Sequence, residues 1–160
     1  MQDTKEKSSE PQPAAERRFG QAFPEFTQEE IARLTGYLTL RHFTKGEVVW
    51  KQNDPSEYLG FLVSGALVVK REGRFPGKNI ILAMLETGSL FGEMAVAATT
   101  GQHSVTLSAA EEAEAYVLSA DKAGQLFDQE PLLSIKLLKK IIVVCGLRLQ
   151  HTGLRLVELL

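Results

Sequence analysis

A short glycine-containing stretch near the middle of the chain, residues 88–108, has the residue types of a small-anion site. It reads GSLFGEMAVAATTGQHSVTLS, with Gly88 and Gly92 ahead of the carboxylate of Glu93. Glycine permits positive φ and a close approach of the backbone to a ligand. The Ala-rich segment 93–98 predicts about one to two turns of helix, whose free N–H groups would face a phosphate. Glu93 would instead accept a hydrogen bond from a neutral sugar-like hydroxyl, because an ionised carboxylate has no donor.

The same stretch has a second interpretation, as a tight turn between two strands of an all-β domain. Phe91 would then fill the core. Glu93 would favour the start of the helix through the helix dipole. The spacing alone leaves both interpretations open.

Composition narrows the classes of function. The chain has 160 residues, 44% hydrophobic and 24% charged, which fits one globular domain with appendages. Its 18 basic and 20 acidic residues leave a net charge of −2, so a contact with nucleic acid is not expected. No apolar run reaches the roughly 18 residues of a membrane span, and no signal peptide is evident. The composition therefore predicts a cytoplasmic domain that contacts neither membrane nor nucleic acid.

The reactive residue types show no catalytic or metal-binding pattern. Cys145 is the single cysteine, which excludes an internal disulfide and a site of several cysteine ligands. His42, His103 and His151 lie far apart in sequence without metal-ligand spacing, and no Ser or Cys sits in a nucleophile motif. The sequence predicts neither an enzyme nor a metal site.

The chain begins with polar residues and then turns helical. Residues 1–18, MQDTKEKSSEPQPAAERR, have the composition of a disordered tail. The aromatic side chains of Phe19, Phe23 and Phe26 are expected to attach the entry to the domain. Thr27 then opens a helix, with Glu30 completing a capping box, and that helix is expected to end near residue 38.

Short strands dominate the middle of the chain. Segments rich in Val, Leu and aromatic residues alternate with turn signals, which predicts strands over residues 41–43, 47–51, 58–64, 66–71, 80–85, 104–107 and 115–118. Seven or eight short strands favour a double-stranded β-helix or jelly-roll barrel with flanking helices. We therefore assign the β-barrel domain, with its N-terminal helix, to residues 19–130.

The chain closes with two helices, the second of them long. Ser119 can cap a helix through residue 127, and Pro131 suits the first turn of a helix over residues 131–160. One row of this helix is expected to pack on the barrel: Leu133, Leu137, Ile141 and Val144. A second row has coiled-coil spacing and predicts a homodimer seam: Ile135, Leu138, Ile142, Cys145, Leu149, Thr152, Leu156 and Leu159. The alternative is a helix buried in its own domain.

Four segments in this order resemble a known family. They are FTKGEVVWKQND at 43–54, YLGFLVSGALVV at 58–69, GSLFGEMA at 88–95 and PLLSIKLLKKI at 131–141. Over about residues 23–156 the chain resembles the cyclic-nucleotide-binding domains of the CRP/FNR superfamily, of cAMP-dependent kinase regulatory subunits and of cyclic-nucleotide-gated channels. CRP/FNR proteins continue into a helix-turn-helix, whereas this sequence ends within the long helix and shows no DNA-reading element.

The resemblance implies a phosphate-binding cassette. In such domains Gly92 and Glu93 would contact sugar and phosphate, with Glu93 on the ribose 2′-hydroxyl and the amides of Met94 and Ala95 near the phosphate. The family places an arginine ten residues after that glutamate, followed by Ser or Thr and then Ala, and this sequence has His103, Ser104 and Val105 there. A neutral histidine forfeits a charge-assisted phosphate contact worth on the order of 1.5–3 kcal/mol. In some members the positions of His151 and Thr152 cap the base.

The histidine leaves three interpretations. In the first, His103 is a weaker phosphate ligand; in the second, it marks a pocket for another ligand; in the third, the pocket no longer binds a nucleotide. The alternative to all three is that His103 is only a polar loop residue beside Gly101 and Gln102. The sequence accordingly supports two functions. One is a sensor domain that binds a cAMP-like ligand and has no cofactor. The other is an interaction module that dimerises and binds no ligand. The sensory part of a transcription regulator, cut before its DNA-binding domain, would also have this sequence.

Overall fold

A computed structural model describes residues 11–97 and 101–158. Within these residues, four α-helices and eight strands follow one another in the order α1 (Gln12–Ala22), α2 (Gln28–Thr35), β1 (Thr39–Phe43), β2 (Val48–Trp50), β3 (Tyr58–Ser64), β4 (Leu67–Glu72), β5 (Asn79–Leu85), β6 (Leu90–Phe91), β7 (Thr106–Ala109), β8 (Ala113–Ser119), α3 (Ala120–Gln129) and α4 (Pro131–Glu158). A 3₁₀ helix, Glu93–Ala97, lies between β6 and β7.

The strands form two four-stranded antiparallel sheets. The first sheet has the order β1-β8-β3-β6 and the second the order β2-β7-β4-β5. Consecutive strands alternate between the sheets in the jelly-roll manner, as the sequence predicts, except for the hairpin of β4 and β5 within the second sheet. The two sheets face each other as a sandwich and are not closed into a barrel. The expected jelly-roll order of strands is therefore present, whereas the expected closed barrel is not.

Two apolar clusters hold the sandwich and its helices together. One lies between the sheets and contains Phe43, Leu62 and Phe91. The other lies between the first sheet and the helices and contains Phe61, Leu118 and Leu137, among others. The first sheet is therefore covered on both faces, which explains why β3 is buried over six of its seven residues and reads as a continuous apolar run.

The first helix corrects the predicted disordered tail. α1 begins at Gln12, so residues 12–18 are helical, while residues 1–10 lie outside the described part. Phe19 and Phe23 are fully buried, stack with ring centroids 4.9 Å apart and fix α1 on the first sheet through Phe61. The expectation that these phenylalanines attach the entry to the domain is confirmed. Tertiary packing stabilises this helix although residues 16–18 are charged.

Local capping signals define three helix starts as predicted. The Thr27 side chain accepts from the Glu30 amide, and the Glu30 carboxylate accepts from the Thr27 amide at 2.8 Å. Ser119 accepts from the Lys122 amide at the start of α3, and α4 begins at Pro131. α2 ends at Thr35, three residues before the predicted end.

Helix α4 is attached to the domain along its N-terminal half. Leu133, Leu137 and Ile141 are buried against the helix-side cluster, which confirms the predicted barrel-facing row. Lys136 pairs with Glu30 at 2.6 Å, and Lys140 pairs with Glu25. From Leu149 to the last described residue every side chain is exposed.

The predicted seam divides into an exposed row and one inward residue. Leu138, Ile142, Leu149 and Leu156 are exposed on the single chain, Ile142 by 69%. Cys145 is half-buried and packs against the helix-side cluster. Ile135 is exposed as well, so five of the eight predicted seam residues can meet a second copy. Cys145 lies toward its own domain, Thr152 lines the cavity described below, and residue 159 lies outside the described residues. The dimer itself stays a prediction.

Candidate functional site

A cavity of about 380 Å³ lies between the second sheet, the turn after β6 and the C-terminal half of α4. Its lining combines apolar strand residues with a few polar groups, the usual make-up of a small-molecule pocket. The lining residues are Trp50, Val69, Leu82, Ala83, Leu85, Phe91, Gly92, Glu93, Met94, Gln102, His103, Ser104, Val105, Leu107, Arg148, His151, Thr152 and Arg155. The structure thus brings together five of the six predicted ligand-binding residues; Ala95 is the exception.

Gly92 makes the turn that presents Glu93 to the cavity. Its φ is 73°, in the left-handed region, and a Cβ here would lie 2.3 Å from the Tyr58 carbonyl oxygen. Glycine is therefore required both for the backbone angle and for the space. The expected positive φ at Gly92, and also at Gly88, is confirmed.

The helix predicted after Gly92 is a single short 3₁₀ segment. Ala95 is buried behind the cavity wall, and its amide donates to the Gly92 carbonyl oxygen at 3.1 Å. That amide is therefore not free for a phosphate, which corrects the expectation for Ala95. Met94 lies at the rim with 54% of its side chain exposed.

Glu93 already has a cationic partner. Its carboxylate oxygen Oε2 accepts from Nη1 of Arg148 at 3.2 Å, and Arg148 Nη2 also donates to the Leu90 carbonyl oxygen. The Cys145 Sγ lies 4.0 Å from the other carboxylate oxygen. Burial, with a smaller contribution from Glu93, raises the pKa of the Cys145 thiol, so the thiol stays protonated. Arg148 therefore links the turn at Gly92 and Glu93 directly to α4.

His103, which the resemblance places at the position of an arginine, lies flat on Trp50. The ring centroids are 3.7 Å apart and the planes differ by 3°. The His103 backbone is fixed by two hydrogen bonds, from the Asn53 amide to its oxygen at 2.7 Å and from its amide to the Asp54 oxygen at 2.8 Å. Trp50 is held in turn by its indole N–H, which donates to the Val105 oxygen at 3.1 Å.

Burial lowers the pKa of His103 below its usual 6.5, although the carboxylates of Asp54, Glu93 and Glu57 oppose that shift. The imidazole is therefore neutral at pH 7. It can offer one N–H to a ligand and no permanent charge. Ser104 follows it at the cavity wall with an exposed side chain.

One face of α4 carries the polar groups that close the cavity. Arg148, His151, Thr152 and Arg155 follow the i, i+3, i+4, i+7 spacing of a single helix face, and all four line the cavity. The resemblance pointed to His151 and Thr152, and the structure places both at this wall. The sequence analysis did not predict Arg148 and Arg155, because it considered mainly the apolar residues of this helix. Their spacing of seven residues places them on the same face as Thr152 and is the signal that could have identified them.

Two further findings concern the described residues alone. No helix among them is long and apolar enough to cross a membrane. No cluster of three or more His, Cys, Asp or Glu side chains within residues 11–97 and 101–158 could hold a metal ion.

Comparison with known proteins gives the family. The family model of the cyclic nucleotide-binding domain matches residues 40–130. The cyclic GMP-binding protein C of Dictyostelium discoideum is 26% identical over 133 residues, which is 83% of this chain. A putative potassium channel protein of Rhodopseudomonas palustris is 28% identical over 115 residues, which is 72% of this chain. The chain spans 27% of the length of the channel protein and 5% of the length of the cyclic GMP-binding protein.

Two solved structures repeat the fold. A cyclic nucleotide-binding domain from Methylobacillus flagellatus superimposes with a TM-score of 0.80 at 22% identity, over 91% of this chain and 86% of that one. The catabolite activator protein of Thermus thermophilus does so with a TM-score of 0.71 at 26% identity, over 86% of this chain and 62% of that one. With the family model over more than half of its length, this chain belongs to the cyclic nucleotide-binding domain family, in its CRP/FNR-like form.

Proposed function

We propose that this chain is a regulatory domain, not an enzyme, that binds a cAMP-like cyclic nucleotide in the cavity beneath α4. One observation carries the proposal: the turn at Gly92 and Glu93 and the helix face at His151 and Thr152, which are at least 58 positions apart in sequence, line the same cavity. The expected roles are Glu93 on a sugar hydroxyl, Gly92 and Met94 along sugar and phosphate, and His103 and Ser104 beside the phosphate.

The output would be a change in how α4 docks. Its N-terminal half is held by buried leucines and two lysine pairs, whereas its C-terminal half contacts the domain through polar groups such as Arg148 and Arg155. A ligand that touches both the cassette and this half binds the docked and undocked forms with different affinity. It therefore shifts the equilibrium between them, which is the condition for a regulatory domain.

The histidine predicts weak binding. Since His103 is neutral and stacked on Trp50, the cassette supplies no permanent cation at that position. Relative to an arginine the loss is about one to two decades of affinity. An arginine at residue 103 could stack on the same indole while its guanidinium reaches the anion.

The test is calorimetric titration of the chain with cAMP and cGMP, beside Glu93→Gln, His103→Arg and a matched control, Glu111→Gln. Glu111 is exposed in the turn between β7 and β8, away from the cavity. We expect the native chain and the control to bind alike, Glu93→Gln to bind at least tenfold more weakly, and His103→Arg to bind more tightly. If neither cassette change alters binding, the assignment of the cassette is wrong.

A second candidate function rests on the exposed row of α4. Ile142, Leu149 and Leu156 present apolar side chains along one side of the helix. The interaction-module hypothesis is that the fold serves as a scaffold for homodimerisation through this row and has lost its ligand. Absence of binding by the native chain, together with a stable dimer, would favour it.

A further inference from the structure

The charged side chains around the cavity have an unusual distribution for a phosphate site. Among the described lining residues, the permanent cations are Arg148 and Arg155, and both belong to α4. Glu93 is the one carboxylate in that lining. Two arginines against one glutamate leave one net positive charge, and a cyclic phosphodiester carries one negative charge.

We propose that Arg148 of α4 binds the anionic group of the ligand, with Arg155 supplying the surplus positive charge. The cation for a cyclic phosphate then comes from the helix and not from the position of His103. This inference rests on the proposed function, because it names the residue that would hold the phosphate in the same cavity.

Arg148 is placed for this role by its contacts. Nη1 donates to Glu93 at 3.2 Å and Nη2 donates to the Leu90 oxygen, so the guanidinium lies beside the carboxylate expected to hold the sugar hydroxyl. A guanidinium has five N–H donors, and these contacts use two of them. The remaining donors can face an anion attached to the same sugar while the pair with Glu93 persists. Its side chain is 38% exposed, which leaves access from the cavity.

Arg155 lies two helical turns further along the same face. Its Nη1 donates to the Leu82 oxygen at 3.0 Å. Leu82 is the extra residue of a β-bulge, since Val69 pairs with Ala83 while Lys70 pairs with Ile81. The bulge thus leaves a strand carbonyl oxygen available to hold Arg155 at the cavity. Bound to a neutral carbonyl, Arg155 keeps its full charge toward the ligand.

This arrangement would couple the ligand directly to α4, the helix whose docking is proposed to change. A phosphate held by a residue of the sandwich influences α4 only indirectly. A phosphate held by Arg148 adds its binding free energy directly to the docking of the C-terminal half of α4. The domain would then respond to the charge of its ligand as well as to its shape.

The experiment compares a charged ligand with its neutral counterpart on the full chain. Calorimetry measures cAMP and adenosine, which lacks the phosphate, and the fluorescence of Trp50, the single tryptophan, reports occupancy of the cavity. The variants are Arg148→Gln, Arg155→Gln and Arg148→Gln with His103→Arg. Lys139→Gln is the control, because it removes one charge from an exposed position of α4 that does not line the cavity.

We expect Arg148→Gln to weaken cAMP binding about tenfold or more and Arg155→Gln to weaken it less, with adenosine and the Lys139 control unchanged. Adding His103→Arg should restore much of the loss. A merely structural role of Arg148 would instead weaken cAMP and adenosine equally, and that result would overturn the inference.

The other outcomes separate this inference from the proposed function. If the native chain binds cAMP and Arg148→Gln binds it equally well, the anion lies elsewhere and the proposed function stands. If cAMP binds only after His103→Arg, the pocket needs a cassette arginine and the role of Arg148 is rejected. If neither the native chain nor His103→Arg binds cAMP or cGMP, the proposed function fails and the inference fails with it.

Discussion

The imidazole of His103 lies flat on the indole of Trp50, with the ring centroids 3.7 Å apart. The stack places a titratable group against Trp50, the single tryptophan of the chain. The fluorescence of Trp50 can therefore report the protonation of His103 and the occupancy of the cavity.

The first prediction concerns pH. Burial lowers the pKa of His103 in the folded state, so as the pH falls the unfolded chain takes up the proton first. The free energy of unfolding should therefore decrease as the pH falls from about 6.5 through the lower folded pKa, and this effect should be absent above that window. Urea unfolding at a series of pH values measures it.

The control for this prediction is His103→Gln, which cannot titrate. The variant should show a flatter dependence of stability on pH below 6.5, and the fluorescence of Trp50 should lose a transition whose midpoint in the native chain lies below 6.5. An unchanged pH dependence in the variant would assign the effect to other groups.

The second prediction concerns the turn at Gly92. In Gly92→Ala a methyl group would meet the Tyr58 oxygen at 2.3 Å and the Trp50 ring at 3.2 Å, in addition to the strain of positive φ. Gly77→Ala is a matched control, with φ of 78° and no atom within 4 Å of the new methyl group. We expect the control to lose about 1–2 kcal/mol of stability from the backbone angle and Gly92→Ala to lose clearly more. Equal losses in urea unfolding would show that the turn relaxes without cost.

Features set by neighbouring residues were predictable from the sequence. The capping box of Thr27 and Glu30 and the start of α4 at Pro131 depend on residue types within one turn of chain, and β3 was predicted with its observed bounds. Strand β6 was not predicted, because two residues, Leu90 and Phe91, carry no periodicity.

Features set by packing between distant segments were not predictable. The N-terminal half of α1 has the composition of a disordered segment, and it is helical because Phe19 is buried on the first sheet. The contact of Arg148 with Glu93 joins residues that are 55 positions apart, and no local sequence pattern predicts it. The sequence therefore singled out the turn at Gly92 and Glu93, whereas the arginines opposite that turn became evident only in the structure.

The third prediction concerns association. If the exposed row of α4 pairs with a second copy, Ile142→Glu places a charge in an apolar seam and should yield monomers in sedimentation. Gln150→Glu introduces the same charge at an exposed polar position outside the row and should leave the mass unchanged. A native chain that sediments as a monomer would contradict the predicted dimer, and so would a dimer that survives Ile142→Glu.

The fourth prediction concerns the stiffness of α4. Gly146 lies inside the helix, between the half that is buried on the domain and the half that covers the cavity, and a methyl group there would meet no atom within 4 Å. Gly146→Ala should therefore stabilise the chain by about 0.5–1 kcal/mol, since alanine loses less backbone entropy in a helix.

The measurement is best made on Ile142→Glu, so that association does not contribute, with Gly153→Ala as the control in equally open space. Gly153 lies beyond Arg148, so its replacement stiffens only the end of α4. If α4 moves as two halves about Gly146, Gly146→Ala should also change the affinity for cyclic nucleotide, while Gly153→Ala should change it less. A gain in stability from both variants with no change in affinity would mean that α4 moves as one rigid element.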